Sequence, residues 1–284
     1  MNRMVQAIRR WSMLLVAAVV LAGTLAAWAV QRGRRGGGYW DPNDRGGVPR
    51  WDVDPQFPRD VFTFVRVRYS DGYGRGWRGG GKWATDYPDS DLNFSLRLQQ
   101  LTSLKVNPDP IVLELTDPRL FDYPFLYMIE PGNLLFDEAE VAALRKYLLN
   151  GGFLMVDDFW GDEEWMNFYL QIKRVFPDRE PEEVPLEHEI FQCVYPLDEK
   201  PQVPSIHAFY GGARWEGRWG SDTSQANYRA IYDDSGRIMV FICHNTDLGD
   251  GWEREGENHE YFELYAVKKS YPLGINIVTY AMTH

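Results

Sequence analysis

The segment at residues 150–160 constrains the fold of this chain more than any other. It contains Gly151-Gly152, and glycines at this place are typical of the end of a helix. The apolar run that follows predicts a short buried strand, and the acidic pair Asp157-Asp158 stands at the end of that strand. Helices that alternate with buried strands indicate an α/β fold, in which ligands bind beyond the carboxyl ends of the strands.

The first 30 residues predict a signal peptide or an N-terminal membrane anchor. Arg3, Arg9 and Arg10 precede an apolar run at residues 13–30, which ends in a small-residue step of the kind that signal peptidases cleave. The run is also just long enough to span a bilayer, so cleavage and anchoring both stay open. We therefore expect a chain that is exported to the periplasm or anchored to the cytoplasmic membrane. Residues 31–60, which are rich in Gly, Arg and Pro, predict a flexible tether.

The charge of the chain argues against a nucleic-acid partner. The sequence has 41 acidic and 30 basic residues, a net charge of −11, and six of the basic residues lie within the first 35 positions. Such an acidic domain repels phosphate backbones. The sequence leaves open whether its two cysteines, Cys193 and Cys243, form a disulfide or are small buried side chains.

Apolar runs and helical periodicities alternate along the rest of the chain. The sequence Asp137-x-x-Glu140 has the form of a capping box and predicts the start of a helix that ends at Gly151. Strands are predicted at residues 61–69, 111–115, 124–130 and 153–158, and helices at 89–101, 137–150 and 163–176. A late β-hairpin is predicted at residues 228–243, followed by helical segments at 262–269 and 274–282. This order indicates a mostly parallel sheet with helices on both faces.

Polar residues follow most of the predicted strands. Right-handed crossovers bring the carboxyl ends of parallel strands to one edge of the sheet, so we expect these residues to lie near one another there. The edge would gather Arg68, Glu114, Glu130, the pair Asp157-Asp158, and His244. This gathering is the central prediction about the site.

Asp157, Asp158 and His244 are the candidate catalytic residues. Two carboxylates at a strand end can act as acid and base or bind a divalent cation, which is the only cofactor that the sequence suggests. The alternative is structural: Asp158 caps the next helix and Asp157 pairs with an arginine. The candidate ligand-binding residues are Arg66, Arg68, Glu130, Trp160, Asn245 and Asp247.

Two other features have competing interpretations. Tryptophans in the predicted loops, among them Trp160, Trp215, Trp219 and Trp252, either stack on sugar rings or cover the edge of the sheet. Cys243 and His244 are adjacent on a strand, so their side chains point to opposite faces and do not form a nucleophile–base pair.

The chain resembles a bacterial family of unknown function, DUF4159, from Phe62 onward. The stretches that carry the resemblance are FTFVRVRY (62–69), WATDYPDSDLNF (83–94), VLELTDPRLFDYPFLYMIEPG (112–132), LLNGGFLMVDDFWG (148–161) and ICHNTDLGDGWEREG (242–256).

More distantly, the helix-GG-strand unit and the strand GRIMVFICH are similar to the class I glutamine amidotransferase-like superfamily, and to its trehalose-utilisation-like proteins in particular. This resemblance implies a flavodoxin-like three-layer sandwich over residues 61–284. Members that hydrolyse glutamine carry a nucleophilic cysteine on the turn after a central strand. Here Asp157 and Asp158 occupy that turn, which argues against amidotransferase activity.

Three functions remain open at this point. The first is a non-catalytic domain of the cell envelope that binds a small molecule or saccharide, or takes part in assembly. The second is a hydrolase of a saccharide or an amide that uses Asp157 and Asp158 with His244, with or without a metal. The third is a structural subunit of an envelope complex with protein partners.

Overall fold

The computed structural model describes residues 45–57, 60–71 and 81–284. The predicted signal peptide or anchor and residues 31–44 of the tether lie outside the described residues. Within the described ranges, no helix combines the length and the apolar character that a membrane crossing requires. The chain divides into two units, Met1–Val48 and Pro49–His284. In the described part of the first unit, the Val48 amide donates to the Arg45 carbonyl at 2.9 Å.

The second unit is built around a sheet of seven strands among the described residues. The strands are β1 (Val65–Arg68), β2 (Ile111–Glu114), β3 (Phe125–Ile129), β4 (Phe153–Phe159), β5 (Glu182–Glu183), β6 (Asn227–Tyr232) and β7 (Ile238–His244). Their order is β2-β1-β3-β4-β7-β6-β5. The first five of these are parallel, while β6 runs antiparallel to β7, and β5 to β6. The five parallel strands have the strand order of a flavodoxin-like sheet. In this order β2 is added on one side of β1, and β3 and the later parallel strands are added on the other side, so the strand order reverses between β1 and β3.

Helices cover both faces of this sheet. They are α1 (Asp89–Leu101), α2 (Glu138–Leu149), α3 (Gly161–Val175), α4 (Ile206–Tyr210), α5 (Leu248–Glu253), α6 (His259–Tyr261), a π-helical segment (Phe262–Ser270) and α7 (Tyr271–Thr283). The predicted capping box of α2 is confirmed: Asp137 Oδ1 accepts from the Glu140 amide, and Glu140 Oε2 accepts from the Asp137 amide, each at 2.8 Å. The predicted α/β class, with a mostly parallel sheet and a late hairpin, is confirmed.

Strand alternation produces two hydrophobic cores, one on each face of the sheet. On β3, Phe125, Tyr127 and Ile129 pack into the core on the side of α1 and α7, while Leu126 and Met128 pack into the core on the side of α2 and α3. All five residues of β3 are fully buried. A strand that is apolar at every position is expected where both faces are covered. The three layers hold the strand ends in fixed positions.

The end of α2 depends on two glycines for different reasons. Gly151 has a φ of +99°, the left-handed conformation that glycine adopts without strain. Gly152 has an ordinary φ, but a Cβ at this position would lie 2.3–2.5 Å from ring carbons of Tyr147. The Tyr147 ring is buried and its hydroxyl donates to the Tyr123 carbonyl at 2.9 Å, so the ring is not free to move.

We predict that Gly152→Ala destabilises the protein by about 1–3 kcal/mol, the usual cost of forcing extra atoms into a packed core. The free energy of unfolding is measured by urea denaturation. Gly217→Ala is the matched control, because a Cβ there meets nothing within 4 Å and its φ is not left-handed. Equal stability of the two variants would show that the contact with Tyr147 does not constrain this position.

Candidate functional site

A cavity of about 240 Å³ opens at the carboxyl edge of the parallel strands. Glu130 follows β3, Asp158 stands near the end of β4, and Asp247 follows β7, so three neighbouring strands each deliver a carboxylate to it. The remaining wall comes from loops and from α3, α4 and α5: Lys82, Thr85, Asp86, Glu164, Ser205, His207, Glu216, Arg218, Asp250 and Arg254. The structure therefore brings together Glu130 and Asp158, two residues of the predicted edge, and Asp247, a third candidate residue.

The backbone is strained around this cavity. Four residues other than glycine have left-handed φ angles among the described residues: Asp86 (61°), Glu130 (47°), Asp158 (55°) and Asn245 (59°). The first three line the cavity. Such conformations are uncommon for residues that carry a Cβ, and they concentrate at functional sites, where the surrounding structure holds them in place.

The wall of the cavity is strongly acidic, with seven carboxylate and three lysine or arginine side chains. Each of these three cations is already paired. Lys82 Nζ lies 2.6 Å from Glu130 Oε2. Arg218 pairs with Glu164 at 3.2 Å and Glu216 at 3.1 Å, and Arg254 pairs with Asp250 at 3.1 Å and Glu253 at 2.7 Å. Asp86, Asp158 and Asp247 therefore have no ion-pair partner within the described ranges.

Asp158 and Asp247 are buried carboxylates that reach the cavity. Asp158 is 7% exposed, and its Oδ1 accepts from the Trp160 indole at 3.0 Å. Asp247 is 3% exposed, and its Oδ1 accepts from the Asp250 amide at 2.7 Å, which caps α5. Burial raises the pKa of both carboxyls well above the ordinary value, and neighbouring carboxylates raise it further. The second oxygen of each has no hydrogen-bond donor among the described residues.

Asp86 joins them from the loop before α1. Its Oδ2 is buried and accepts no hydrogen bond. A Cβ on Gly249 would lie 2.8 Å from this oxygen and 2.7 Å from the Tyr127 hydroxyl, so the missing side chain at Gly249 makes room for the carboxylate. Burial raises the pKa of Asp86 well above the ordinary value, and the carboxylates of Glu253 and Asp250 add to the shift.

Oxygen atoms of Asp86, Asp250 and Glu253 lie within 4.8 Å of one another, a spacing that suits a metal ion. Asp250 is already satisfied, however. Its Oδ1 accepts from Arg254, and its Oδ2 accepts from the Ile206 amide and from the Tyr261 hydroxyl. Of the three, Asp86 is the residue left without an ion pair.

Asp157 does not line the cavity, because adjacent strand residues point to opposite faces. Its Oδ2 accepts from the Tyr127 hydroxyl at 3.1 Å and from the Gly249 amide at 3.0 Å, while its Oδ1 accepts no hydrogen bond. Burial raises the pKa of Asp157 to about 7. The structural alternative, an arginine partner for Asp157, is not what the structure shows.

His244 also lies away from the cavity. Its ring packs against Phe159 and Trp165, with centroid distances of 4.8 and 5.3 Å, and its Nε2 lies 3.1 Å from the Gly161 carbonyl. Burial lowers the pKa of His244 to about 4. His244 is therefore not part of the cavity wall on which Asp158 lies.

Among the candidate ligand-binding residues, Glu130 and Asp247 line the cavity. Trp160 lies behind Asp158 and donates to it, and Asn245 Oδ1 accepts from the Gly161 amide at 2.8 Å and so fixes the start of α3. Arg66 and Arg68 form ion pairs elsewhere, with Asp91 and Glu114 respectively.

The loops contribute residues that the sequence reasoning did not single out for the site: Lys82, Asp86, Glu216, Arg218 and Arg254. No periodic pattern marks them. The cysteines lie outside the cavity, and both Cys193 and Cys243 are free thiols. Burial raises the pKa of Cys243 well above its ordinary value, so this thiol is a poor nucleophile.

The fold and the cavity together define a flavodoxin-like α/β domain with an acidic site at the carboxyl edge of its sheet. Residues 63–282 match the family described as domain of unknown function (DUF4159), and the chain belongs to this family. A search of curated proteins finds no match.

Proposed function

We propose that this chain is a non-catalytic binding domain of the cell envelope, whose ligand is a small polar molecule rich in hydroxyl and ammonium groups. The observation that carries the proposal is the cavity wall, in which carboxylates outnumber cations by seven to three. A wall of acceptors favours a ligand that supplies donors, and it disfavours an anionic one.

Two further features support binding rather than nucleophilic catalysis. Ser205 Oγ accepts from the Ala208 amide at 3.3 Å, and Thr85 Oγ1 donates to Glu130 at 3.0 Å, so each cavity hydroxyl has a structural partner. Trp219 is fully exposed and follows Arg218 of the cavity wall in the chain, where an aromatic ring is available to stack on a sugar.

The proposal includes a relationship to a known superfamily. The strand order supports the likeness to the class I glutamine amidotransferase-like superfamily that the sequence suggested. Asp157 and Asp158 at the turn that carries cysteine in the amidotransferases support a binding role for this chain. Export, and the attachment of the domain to an envelope membrane by residues 1–30, are likewise proposed from the sequence alone.

Isothermal titration with three sugars of similar size tests the proposal, with EDTA present to remove metal ions. Glucosamine should bind more tightly than glucose, and gluconate should bind most weakly, because their charges are positive, neutral and negative. Asp247→Asn should weaken glucosamine binding about tenfold, which is the typical loss of one charge-assisted hydrogen bond. Asp178→Asn, at an exposed position, is the matched control. Absence of binding, or equal affinity for glucosamine and gluconate, would contradict the proposal.

A hydrolase is the second candidate, and the pair Asp158 and Asp247 favours it. Two buried carboxyls with raised pKa values in one cavity are suited to act as general acid and general base. In this candidate Asp247 acts together with Asp158, because Asp157 and His244 do not reach the cavity. Release of p-nitrophenol from aryl glycosides, lost in both Asp158→Asn and Asp247→Asn, would favour this candidate over the binding domain.

A further inference from the structure

Trp219 is the most exposed large apolar side chain among the described residues, with its whole surface open to solvent. Tryptophan is a large apolar residue that folded proteins bury to a high degree on average. The residues that follow it, Gly220, Ser221 and Asp222, are small or polar. This turn therefore offers one ring and not the contiguous apolar patch that the docking of another protein requires.

Trp219 stands at the tip of a tight turn that is fixed at both ends. The Ser221 amide donates to the Arg218 carbonyl at 3.2 Å and closes the turn. Gly220 supplies the φ of 77° that a turn of this kind needs at its third residue. Ser221 Oγ also accepts from the Asp162 amide at 2.9 Å, which attaches the turn to the first residues of α3.

The turn sits directly on the start of α3, because Gly161 has no side chain. A Cβ there would lie 2.9 Å from Arg218 Cβ and 3.0 Å from Ser221 Oγ. Arg218 is held further by its ion pairs with Glu164 and Glu216. The backbone that carries the exposed ring is thus already ordered, and a tryptophan side chain has only two torsions to fix, so a contact with this ring has a small entropic cost.

The turn lies at the rim of the cavity, and the cavity is small. Arg218 lines the wall, and the Cα atoms of adjacent residues are about 3.8 Å apart, so Trp219 stands directly beside the wall. The cavity volume of about 240 Å³ lies below the roughly 300–1,000 Å³ of pockets that enclose a whole ligand. A ligand longer than one sugar unit therefore extends over the rim, where the Trp219 ring is exposed.

We propose that the ligand is an oligosaccharide, with one amino-sugar unit in the cavity and the next unit stacked on Trp219. The inference rests on the proposed function, because the cavity provides the first of the two subsites. One face of a sugar ring presents apolar C–H groups, which suit the apolar, electron-rich face of an indole. The acidic wall beside the turn disfavours the alternative, in which Trp219 inserts into a membrane that carries anionic lipids.

Titration with two ligands of equal charge measures the contribution of the second subsite on the purified protein in EDTA. The ligands are glucosamine and the disaccharide in which glucosamine is β-1,4-linked to N-acetylglucosamine. The disaccharide should bind the parent protein about tenfold more tightly than glucosamine, because it adds one stacking contact. Trp219→Ala should reduce this ratio of affinities to about one. Asp247→Asn should weaken both ligands together and leave the ratio near its parent value, since Asp247 lies in the cavity.

Phe57→Ala is the matched control for the loss of an exposed aromatic ring. Phe57 is exposed and does not line the cavity, so its replacement should leave the ratio of affinities unchanged.

Fluorescence quenching reports contact with the ring itself. The part of the tryptophan emission that acrylamide quenches in the parent protein and that is missing in Trp219→Phe belongs to Trp219. The disaccharide should protect this part from acrylamide, because the second sugar covers the ring. Glucosamine alone should give no such protection.

The inference is wrong if the disaccharide binds no more tightly than glucosamine, if Trp219→Ala keeps the gain, or if the disaccharide leaves the ring open to acrylamide. Binding to phospholipid vesicles that is lost in Trp219→Ala, without a gain from the second sugar, would assign the ring to a membrane surface instead. A charge preference among single sugars without this gain would support the proposed function and remove the second subsite. Protection of Trp219 without a charge preference would support the subsite and contradict the proposed function.

Discussion

Replacing Arg66 by methionine should destabilise the fold by about 3–5 kcal/mol, the cost of leaving a buried charge without its partner. Arg66 is fully buried, and its Nε donates to Asp91 Oδ2 at 3.0 Å. Asp91, on α1, is buried as well. Methionine fills much of the volume of the side chain but leaves the Asp91 carboxylate in the core without a counter-charge.

The same arginine fixes the loop that carries part of the cavity wall. Its Nη1 donates to the carbonyls of Trp83 at 3.0 Å and Thr85 at 2.9 Å, next to Lys82 and Asp86. Loss of these hydrogen bonds should release the loop, so Arg66→Met should also weaken ligand binding in the titrations described above. Arg66 is in this respect a positioning residue.

Urea denaturation measures the effect, and Arg68→Met is the matched control on the same face of β1. The ion pair of Arg68 with Glu114 has side chains that are 53% and 54% exposed, so its loss should cost about 0–1 kcal/mol. The double variant Arg66→Met/Asp91→Leu removes both buried charges and should recover much of the lost stability. The prediction is wrong if Arg66→Met is no more destabilising than Arg68→Met.

The contrast between Arg66 and Arg68 shows what a sequence pattern leaves undetermined. Strand alternation places both side chains on one face of β1, and both arginines form an ion pair there. Alternation does not indicate how deeply each side chain is buried. Arg66 lies under α1, whereas Arg68 lies at the end of the strand, and only the packing of α1 distinguishes the two environments.

Most of the fold could be predicted because its signals are local. Apolar runs gave the parallel strands, the capping box gave the start of α2, and Asp233-Asp234-Ser235-Gly236 gave the turn of the hairpin between β6 and β7. Strand ends also predicted the shared edge, and with it Glu130 and Asp158. These residues were accessible to sequence reasoning because parallel topology fixes where strands end.

The other residues of the site could not be predicted from the positions of the strand ends. Asp86 and Arg218 come from loops whose paths depend on contacts distant in sequence, such as Arg66 with Thr85 and Arg218 with Glu164. His244 and Asp157 stand at strand ends like Asp158, but their side chains leave the strands in directions that do not reach the cavity. Position along the strand was predicted, whereas the direction of each side chain depended on the register and bulge between β4 and β7.

Between about pH 6 and pH 8.5, in EDTA, the free energy of unfolding should fall as the pH rises. Burial raises the pKa of Asp157 to about 7, above the ordinary value of 3.8. The folded protein therefore holds this proton more tightly than the unfolded chain does. The stability from this group is fully present below pH 3.8 and is lost as the pH rises through 7. A group with this pKa contributes a loss of about 1.4 kcal/mol over the interval, because it gives up its proton in the folded state mainly within the one pH unit between 6 and 7.

Other titratable groups also contribute to the change of the free energy of unfolding with pH. The pKa values of Asp86, Asp158, Asp247 and Glu253 are raised as well, so these groups act in the same direction. His244, whose pKa falls to about 4, acts in the opposite direction: its contribution is present above pH 6.5 and is lost as the pH falls from there through 4. Most of that loss lies below the chosen interval, so the carboxyls dominate within it.

Urea denaturation at the two pH values measures the slope, and two variants identify its source. Asp157→Asn should reduce the loss of stability by about 1.4 kcal/mol, because an amide does not titrate and its oxygen still accepts from Tyr127 and Gly249. Asp178→Asn, exposed to solvent, should leave the slope unchanged. A stability that is constant or increases toward pH 8.5 in the parent protein would mean that these carboxyls are ionised in the fold at neutral pH, and a counter-charge other than the paired lysine and arginines would then have to lie among them.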